Sequence, residues 1–332
     1  MAASAAQADT LRVATWHPEL TRKGPALLLQ DILDDEDEQL AAALSVIDQV
    51  DADVLLLTSI DTDFDGHTAR AFAEAAGYPH VFTRAGNTGR PTGRDIDRDG
   101  RLGEPEDAQS YGEFTGQGGM ALLSRLPVDL TATRDYSDVL WRDIPDNRLP
   151  VGYFDAKDLD VLRLSSSAHW DVVLDWEGTP LHLLTLAATA PVFDGVEDRN
   201  GRRNADEVDY WRREIAQNHG PDGKDFVLLG NTNLDPYDGQ GWRQVMADLL
   251  ASPHLQDPAP RAGARAPAAN ADHSGDPALD TADWDDPVPG NLRVDYVLPA
   301  SVLKVLDAGV LWVDASSVTV FRHGLVWVDI AR

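Results

Sequence analysis

The sequence predicts a mixed α/β fold in which two packed β-sheets are flanked by helices. Three observations predict it. Short runs of consecutive apolar residues recur from Leu11 to Ile330 and read as buried strands. Only a few amphipathic helical segments separate them. No linker divides the 332 residues and no repeat is visible. Residues 11–332 therefore read as a single domain, long enough to bury a large core, with residues 1–10 as a disordered N-terminal remnant.

The elements follow in order. Leu11–Trp16 is strand-like. Asp31–Val50 carries Ile32, Leu33, Leu40, Ala43, Leu44 and Ile47 at helical spacing, which predicts one acidic amphipathic helix. Asp53–Thr58 (DVLLLT) reads as a buried strand, and His67–Ala76 as a helix broken by Gly77-Tyr78-Pro79. Residues 84–119 are rich in Gly, Asp, Arg and Pro; an irregular segment of that length in a compact domain is expected to be functional or ordered by a metal. Met120–Ser124, His169–Leu174 and Leu181–Leu186 read as strands, and Ala205–Gln217 as an amphipathic helix. Phe226–Leu229 is a strand ending at Gly230, and Gly241–Leu250 a helix. Residues 257–290 are dense in Pro, Ala, Asp and Gly and read as loop. Arg293–Leu298, Leu303–Val310 and His323–Ile330 are the last strands.

Charge narrows the partners. There are 56 acidic residues against 28 basic ones, a formal net charge of −28 and a pI near 4.4. Such a surface keeps a protein soluble, as in saline water, and repels polyanions. Nucleic-acid binding rests on Lys and Arg neutralising phosphates, and no basic run is present, so long nucleic acid is disfavoured. Arg199, Arg202 and Arg203, beside Asn200 and Asn204, form either an anion-binding cluster or ion pairs with Asp198, Asp206 and Glu207. Cysteine is absent, which excludes disulfides and thiolate metal sites. No apolar run is long enough to span a membrane. The N-terminal Ala- and Ser-rich stretch reads either as the small-residue end of a secretory signal or as a plain disordered terminus. A periplasmic or secreted location is the expectation.

Asp95-Ile-Asp-Arg-Asp-Gly-Arg-Leu-Gly-Glu-Pro-Glu106, read as it stands from Asp95, carries a calcium-loop pattern. Asp95, Asp97 and Asp99 take the first three ligand positions, Gly100 the sharp turn, and the Arg101 carbonyl the next ligand position. Leu102 is an apolar anchor, and Glu106 the closing bidentate ligand with Asp107 as its substitute. Pro91, Gly93 and Pro105 exclude the flanking helices of an EF-hand, so the loop is isolated. It is expected to bind Ca²⁺ structurally and to order residues 84–119; the alternative is an acidic turn in an acidic protein.

Nine blocks in order resemble the endonuclease/exonuclease/phosphatase superfamily, in particular a branch of secreted bacterial members. They begin with Arg12-Val-Ala-Thr-Trp-His17, Asp53-Val-Leu-Leu-Leu-Thr-Ser-Ile-Asp61 and Gly119-Met-Ala-Leu-Leu-Ser124. Ser165-Ser-Ser-Ala-His-Trp-Asp171, Pro191-Val-Phe-Asp-Gly195 and Asp198-Arg-Asn-Gly-Arg-Arg-Asn204 follow. Gly230-Asn-Thr-Asn-Leu-Asp-Pro236, Asn291-Leu-Arg-Val-Asp-Tyr-Val297 and Arg322-His-Gly-Leu-Val-Trp-Val-Asp329 complete the set. The resemblance implies a four-layer α/β/β/α sandwich with its site at one end of two facing sheets. It also implies phosphoester hydrolysis, with Mg²⁺ or Mn²⁺ polarising the phosphoryl group, a His–Asp pair activating water, and Asn and a second His holding the phosphate.

Transferred residue by residue, that pattern breaks. The Asn that ends the first strand is His17, and the metal-binding Glu is Ser59. The phosphate-contacting His falls on Ala187, the catalytic Asp is Asn231, and the Asp of the terminal block is Arg322. Asn233, Asp295 and His323 are kept. Ser59 offers a metal no charge, Asn231 cannot accept a proton, and Arg322 places a cation where His323 is expected to need an orienting anion. The expected function is a catalytically degenerate, calcium-stabilised, exported protein that binds a phosphorylated small molecule or another protein. The alternative is an active phosphodiesterase, phosphatase or nuclease with a rebuilt site on His17, Asn233, Asp295 and His323, with Asp61, Asp63 and His169 as further ligands, requiring Mg²⁺ or Mn²⁺.

Overall fold

The computed structural model describes residues 10–219, 224–263, 266–313 and 321–332. The N-terminal remnant expected over 1–10 lies, apart from Thr10, outside them. β1 (Leu11–Trp16) is followed by α1 (Leu27–Asp34), α2 (Glu38–Val50), β2 (Val54–Ile60), α3 (His67–Ala75) and β3 (His80–Phe82). The long loop leads to β4 (Gly119–Ser124), β5 (Arg134–Asp135), the single-turn α4 (Ala156–Leu159), β6 (His169–Trp176) and β7 (Thr179–Ala187). Then come α5 (Arg199–Glu214), β8 (Phe226–Asn231), α6 (Arg243–Leu250), β9 (Arg261–Ala262) and β10 (Ala282–Asp283). β11 (Asn291–Leu292), β12 (Asp295–Pro299), β13 (Lys304–Leu311) and β14 (Leu325–Ala331) complete the chain.

Two main sheets form, ordered β3-β4-β2-β1-β14-β13-β9 and β12-β8-β7-β6-β5, with β10 and β11 as a separate ribbon. Alternation along the strands builds the layers. On the first sheet Ala14, Trp16, Leu55, Leu57, Ala121 and Leu123 pack with Leu40, Ala43, Val46 and Ile47 of α2 and Phe72 of α3. The intervening residues Val13, Val54, Leu56 and Leu122 join Trp170, Val172, Leu184, Leu228 and Val297 of the second sheet. Val208 and Trp211 of α5, with Met246 and Leu249 of α6, belong to that second cluster, and Trp211 donates to the Thr185 carbonyl of β7 at 3.1 Å. The result is the four-layer α/β/β/α sandwich.

Three local readings change. The helix expected over 31–50 is two helices. Four consecutive acids, Asp34–Asp37, sit at the negative end of the α1 dipole. Asp35 turns left-handed there, and Asp37 caps α2 by accepting from the Leu40 amide at 2.8 Å. Leu33, expected on the apolar face, is 70% exposed. The 257–290 segment is not all loop: it holds β9 and β10. The last strand begins at Leu325 rather than His323, because His323 pairs locally with Ala282.

Candidate functional site at the strand ends

Topology gathers the candidate residues. β1 runs parallel to β2 and antiparallel to β14, while β8 runs parallel to β7 and antiparallel to β12. The C-terminal ends of β1, β2, β7 and β8 thus meet the N-terminal ends of β12 and β14 at one edge of the sandwich. His17 follows β1, and Ala187 and Asn231 close β7 and β8. Asp295 opens β12, and His323 precedes β14. Ser59 lies at an irregularity near the end of β2, where the register shifts between Thr58 and Ile60, and its φ is 55°.

Asp295 is the hub. Register places it directly opposite Asn231. Asn231 Nδ2 donates to its Oδ1 at 2.9 Å, Thr281 Oγ1 donates to its Oδ2 at 3.1 Å, and His323 Nδ1 lies 2.7 Å from Oδ2. Burial alone would raise this carboxyl, but attraction to His323 and the hydrogen bonds from His323 and Asn231 override it and hold it below the usual range. The segment before β11 grips His323: Gly324 N donates to the Thr281 carbonyl and Asp283 N to the Arg322 carbonyl, each at 2.8 Å. Trp284 meets the His323 ring edge-on at 5.3 Å. On the other side the His17 ring stacks at 4.3 Å, with its Nδ1 2.9 Å from Thr58 Oγ1. Burial first, then repulsion from His323, pushes His17 down to about 3. His17, Asn231, Asp295 and His323 are therefore brought together. Asn233, left-handed at φ 50°, stands beside them with Nδ2 donating to the Ala188 carbonyl at 2.8 Å.

Other expectations are corrected. The orienting anion of His323 is Asp295, so replacement of the neighbouring acid by Arg322 does not remove it. The Arg322 guanidinium instead turns to the surface, 3.5 Å from Glu19. Asp61 accepts from the Arg22 and Gly118 amides at 2.7 and 2.9 Å, and Asp63 caps α3 through the His67 and Thr68 amides. Both carboxylates are thus engaged with backbone. His169 is sealed in the interior between Ser165 Oγ and the Glu207 carbonyl, where burial pushes it down to about 4.

The strand ends open into a cleft of about 600 Å³. His17, Ser59, Asn231 and Asn233 form one part of its lining, and Ile96, Trp141, Phe154 and Leu162 another. The arginine cluster divides in role. Arg203 donates to the carbonyls of Leu164, Gln109, Arg163 and Ser165 and ties α5 to the surrounding loops. Arg199 lines the cleft, donating from Nη1 to the Ile96 carbonyl at 3.3 Å and the Tyr153 hydroxyl at 3.1 Å. Buried Glu207 braces the wall by accepting from Ser166 Oγ at 2.7 Å and the Thr189 amide at 2.8 Å. Thr281 and Trp284 carry no sequence signal that marks them as neighbours of a site; tertiary pairing alone puts them there.

In the acidic loop, one ligand oxygen from each of Asp95, Asp97 and Asp99 lies within 4.8 Å of the others. Asp95 Oδ1 is buried without a hydrogen-bond partner. Pro105 starts a short 3-10 turn that leaves Glu106 exposed on the cleft lining. Asp107 is turned inward by the same step, and its carboxylate accepts from the Ile96 and Gly103 amides at 2.7 and 2.8 Å. Leu102 is 71% exposed and anchors nothing; the buried apolar residue of the loop is Ile96.

A model of the endonuclease/exonuclease/phosphatase family matches residues 32–317. No curated protein sequence matches the chain. Among solved structures it is similar to the endonuclease/exonuclease/phosphatase from Beutenbergia cavernae DSM 12333, with 20% identity, 97% of this chain and 71% of that chain covered, and a TM-score of 0.56. It is similar also to sphingomyelinase C from Streptomyces griseocarneus, with 16% identity, coverage of 98% and 100%, and a TM-score of 0.53. A 3′ phosphatase from Neisseria bound to a product DNA hairpin shares 15% identity over 96% and 98% of the two chains, with a TM-score of 0.51. At these identities the structural likeness speaks to fold, and the family match over most of the sequence speaks to ancestry: the chain belongs to the endonuclease/exonuclease/phosphatase family.

Proposed function

We propose that this family member binds a phosphorylated small molecule in the strand-end cleft and lacks metal-dependent hydrolysis of the family type. The observation that carries the reading is the engagement of its carboxylates. Asp295 is already bound by His323, Asn231 and Thr281, and Asp61 by two backbone amides. A Mg²⁺ ion needs near-octahedral oxygen ligands with at least one or two carboxylates. The floor offers Ser59, Asn233 and Asn231, whose Oδ1 is buried and without a hydrogen-bond partner. Two amide oxygens and a hydroxyl, with no free carboxylate among them, do not fit that ion. Among the described residues, the group of three acidic or histidine ligands close enough to share a metal is the separate Asp95, Asp97, Asp99 cluster.

Anion recognition falls to Arg199, whose guanidinium lines the cleft and is less tied up by loop carbonyls than that of Arg203. The net charge of −28 favours a small ligand over a polyanion. The test is titration of inorganic phosphate, with chelator present, against the imidazole NMR signals of His17 and His323. Saturable shifts that persist in chelator and disappear in Arg199→Ala support the reading. No shift, or a shift that requires Mg²⁺, contradicts it.

A second reading, residual hydrolysis, is favoured by one observation: His323 is held by Asp295 at 2.7 Å, the geometry of an oriented base. In that case His323 Nε2 takes one proton from a water whose other O–H hydrogen-bonds to Asn231 Oδ1, the water oxygen attacks phosphorus, and the ester oxygen leaves as the alcohol, protonated by His323.

We also propose that Asp95, Asp97 and Asp99, with the Arg101 carbonyl, hold Ca²⁺. In support, one oxygen of each of the three carboxylates lies within 4.8 Å of the others, and Asp95 Oδ1 is buried without a hydrogen-bond partner. Isolated loops of this kind suit the calcium concentrations found outside cells, which is the ground for placing the protein in the periplasm or medium.

A further inference from the structure

We propose that the cleft takes a phosphate ester whose other end is an aromatic group, and that Phe193 covers that group when it is bound. This deepens the phosphate-binding reading and rests on it. The cleft lining is apolar for the larger part, with Phe154, Val192, Phe193 and the edges of Ile96, Trp141 and Leu162, and carries Glu106, Gln109 and Arg199 among them; the Trp141 indole nitrogen already donates to Asp206. A volume of about 600 Å³ lies within the range of small-molecule sites. An inorganic phosphate alone leaves the apolar wall unused.

Phe193 supplies the second observation. It lines the same cleft, yet it is 90% exposed. Its φ is 66°, in the left-handed region, where a bulky side chain is strained. Asn200, in the first turn of α5, imposes this. Its amide N–H donates to Asp194 Oδ2 at 2.5 Å, and its Nδ2 donates to the Val192 carbonyl at 2.7 Å. The residues on both sides of Phe193 are therefore pinned, and the ring is held out in water at the rim of an apolar-walled cleft. Neither the core nor the backbone gains from that arrangement; an aromatic ligand does, by stacking beneath the ring.

The experiment is calorimetric titration of phenyl phosphate and methyl phosphate, with chelator present, into the wild type and Phe193→Gly. Burial of a ring predicts that phenyl phosphate binds at least about tenfold tighter than methyl phosphate. Glycine accepts the left-handed backbone without strain, so Phe193→Gly should unfold at a higher temperature and still lose most of the phenyl preference, with methyl phosphate affinity unchanged. A merely structural Phe193 would move stability and leave the preference intact. Equal affinity of the two esters for the wild type, or a preference that survives in Phe193→Gly, overturns the inference while leaving phosphate binding in place. If neither ester binds, the phosphate reading itself falls and this inference with it.

Discussion

His323 Nδ1 stands 2.7 Å from Asp295 Oδ2, and the other oxygen of that carboxylate is held by Asn231 at 2.9 Å. One fully buried anion thus organises residues from three strand ends. Asp295→Asn keeps the size and removes the charge, and its amide cannot accept on both sides. We expect destabilisation of about 2–4 kcal/mol, the usual consequence of leaving a buried partner uncompensated. Urea unfolding measures it; a loss below about 0.5 kcal/mol, the scale of a neutral surface change, would contradict the network.

His17 sets an acid limb. Its folded value, about 3, lies below the ordinary 6.5, so the unfolded chain binds more protons at intermediate pH. The stability it contributes is fully present above pH 6.5 and is lost as pH falls from 6.5 towards 3. Buried His169, pushed down to about 4, adds to the same limb. His17→Asn should flatten the fall in melting temperature across this window relative to the wild type, with His169 accounting for the remainder. Identical slopes in the two proteins would show that His17 is not held neutral.

Returning acids to the floor should return a metal response. Asn231→Asp sets a second carboxylate against Asp295, 2.9 Å from where the amide now donates. Like charges so close should cost about 1–3 kcal/mol at neutral pH. With Ser59→Glu and Arg322→Asp added, Mn²⁺ should raise the melting temperature of the triple variant beyond any rise in the wild type and support turnover of a phosphodiester. A triple variant indifferent to Mn²⁺ would mean that these positions do not face one another as described.

The acidic loop gives a separable prediction. Ca²⁺ should raise the melting temperature of the wild type and protect residues 84–119 from proteolysis, by mass action on the folded state. Asp97→Asn should abolish both effects without changing phosphate binding at the strand ends. A wild type that melts identically in Ca²⁺ and in chelator would leave the loop as an acidic turn.

Much of the frame was legible because buried strands such as Val54–Ile60 and Phe226–Asn231 read as apolar runs ending in polar residues, and those ends are the site. The partner of His323 was misplaced because sequence adjacency pointed to position 322, whereas the true anion is Asp295, 28 residues away and brought in by tertiary structure. The same blindness applies to Thr281 and Trp284, which reach His323 through the β10 segment of a stretch that looks like loop. His169 looked available because a histidine at a strand start is ambiguous until packing buries it. The break between α1 and α2 was hidden because apolar spacing continues across Asp34–Asp37, and repulsion and capping rather than periodicity decide it. Leu102 failed as an anchor because the pattern assigns a role by position, while the loop buries Ile96 instead.

The measurement that bears most directly on the central claim is hydrolysis of bis-p-nitrophenyl phosphate and p-nitrophenyl phosphate by the purified, folded protein in Mg²⁺, Mn²⁺, Ca²⁺ and chelator. A floor without free carboxylates predicts no metal-dependent turnover above the chelator control. Turnover that requires metal and vanishes in His323→Ala would contradict the account and establish a rebuilt catalytic site.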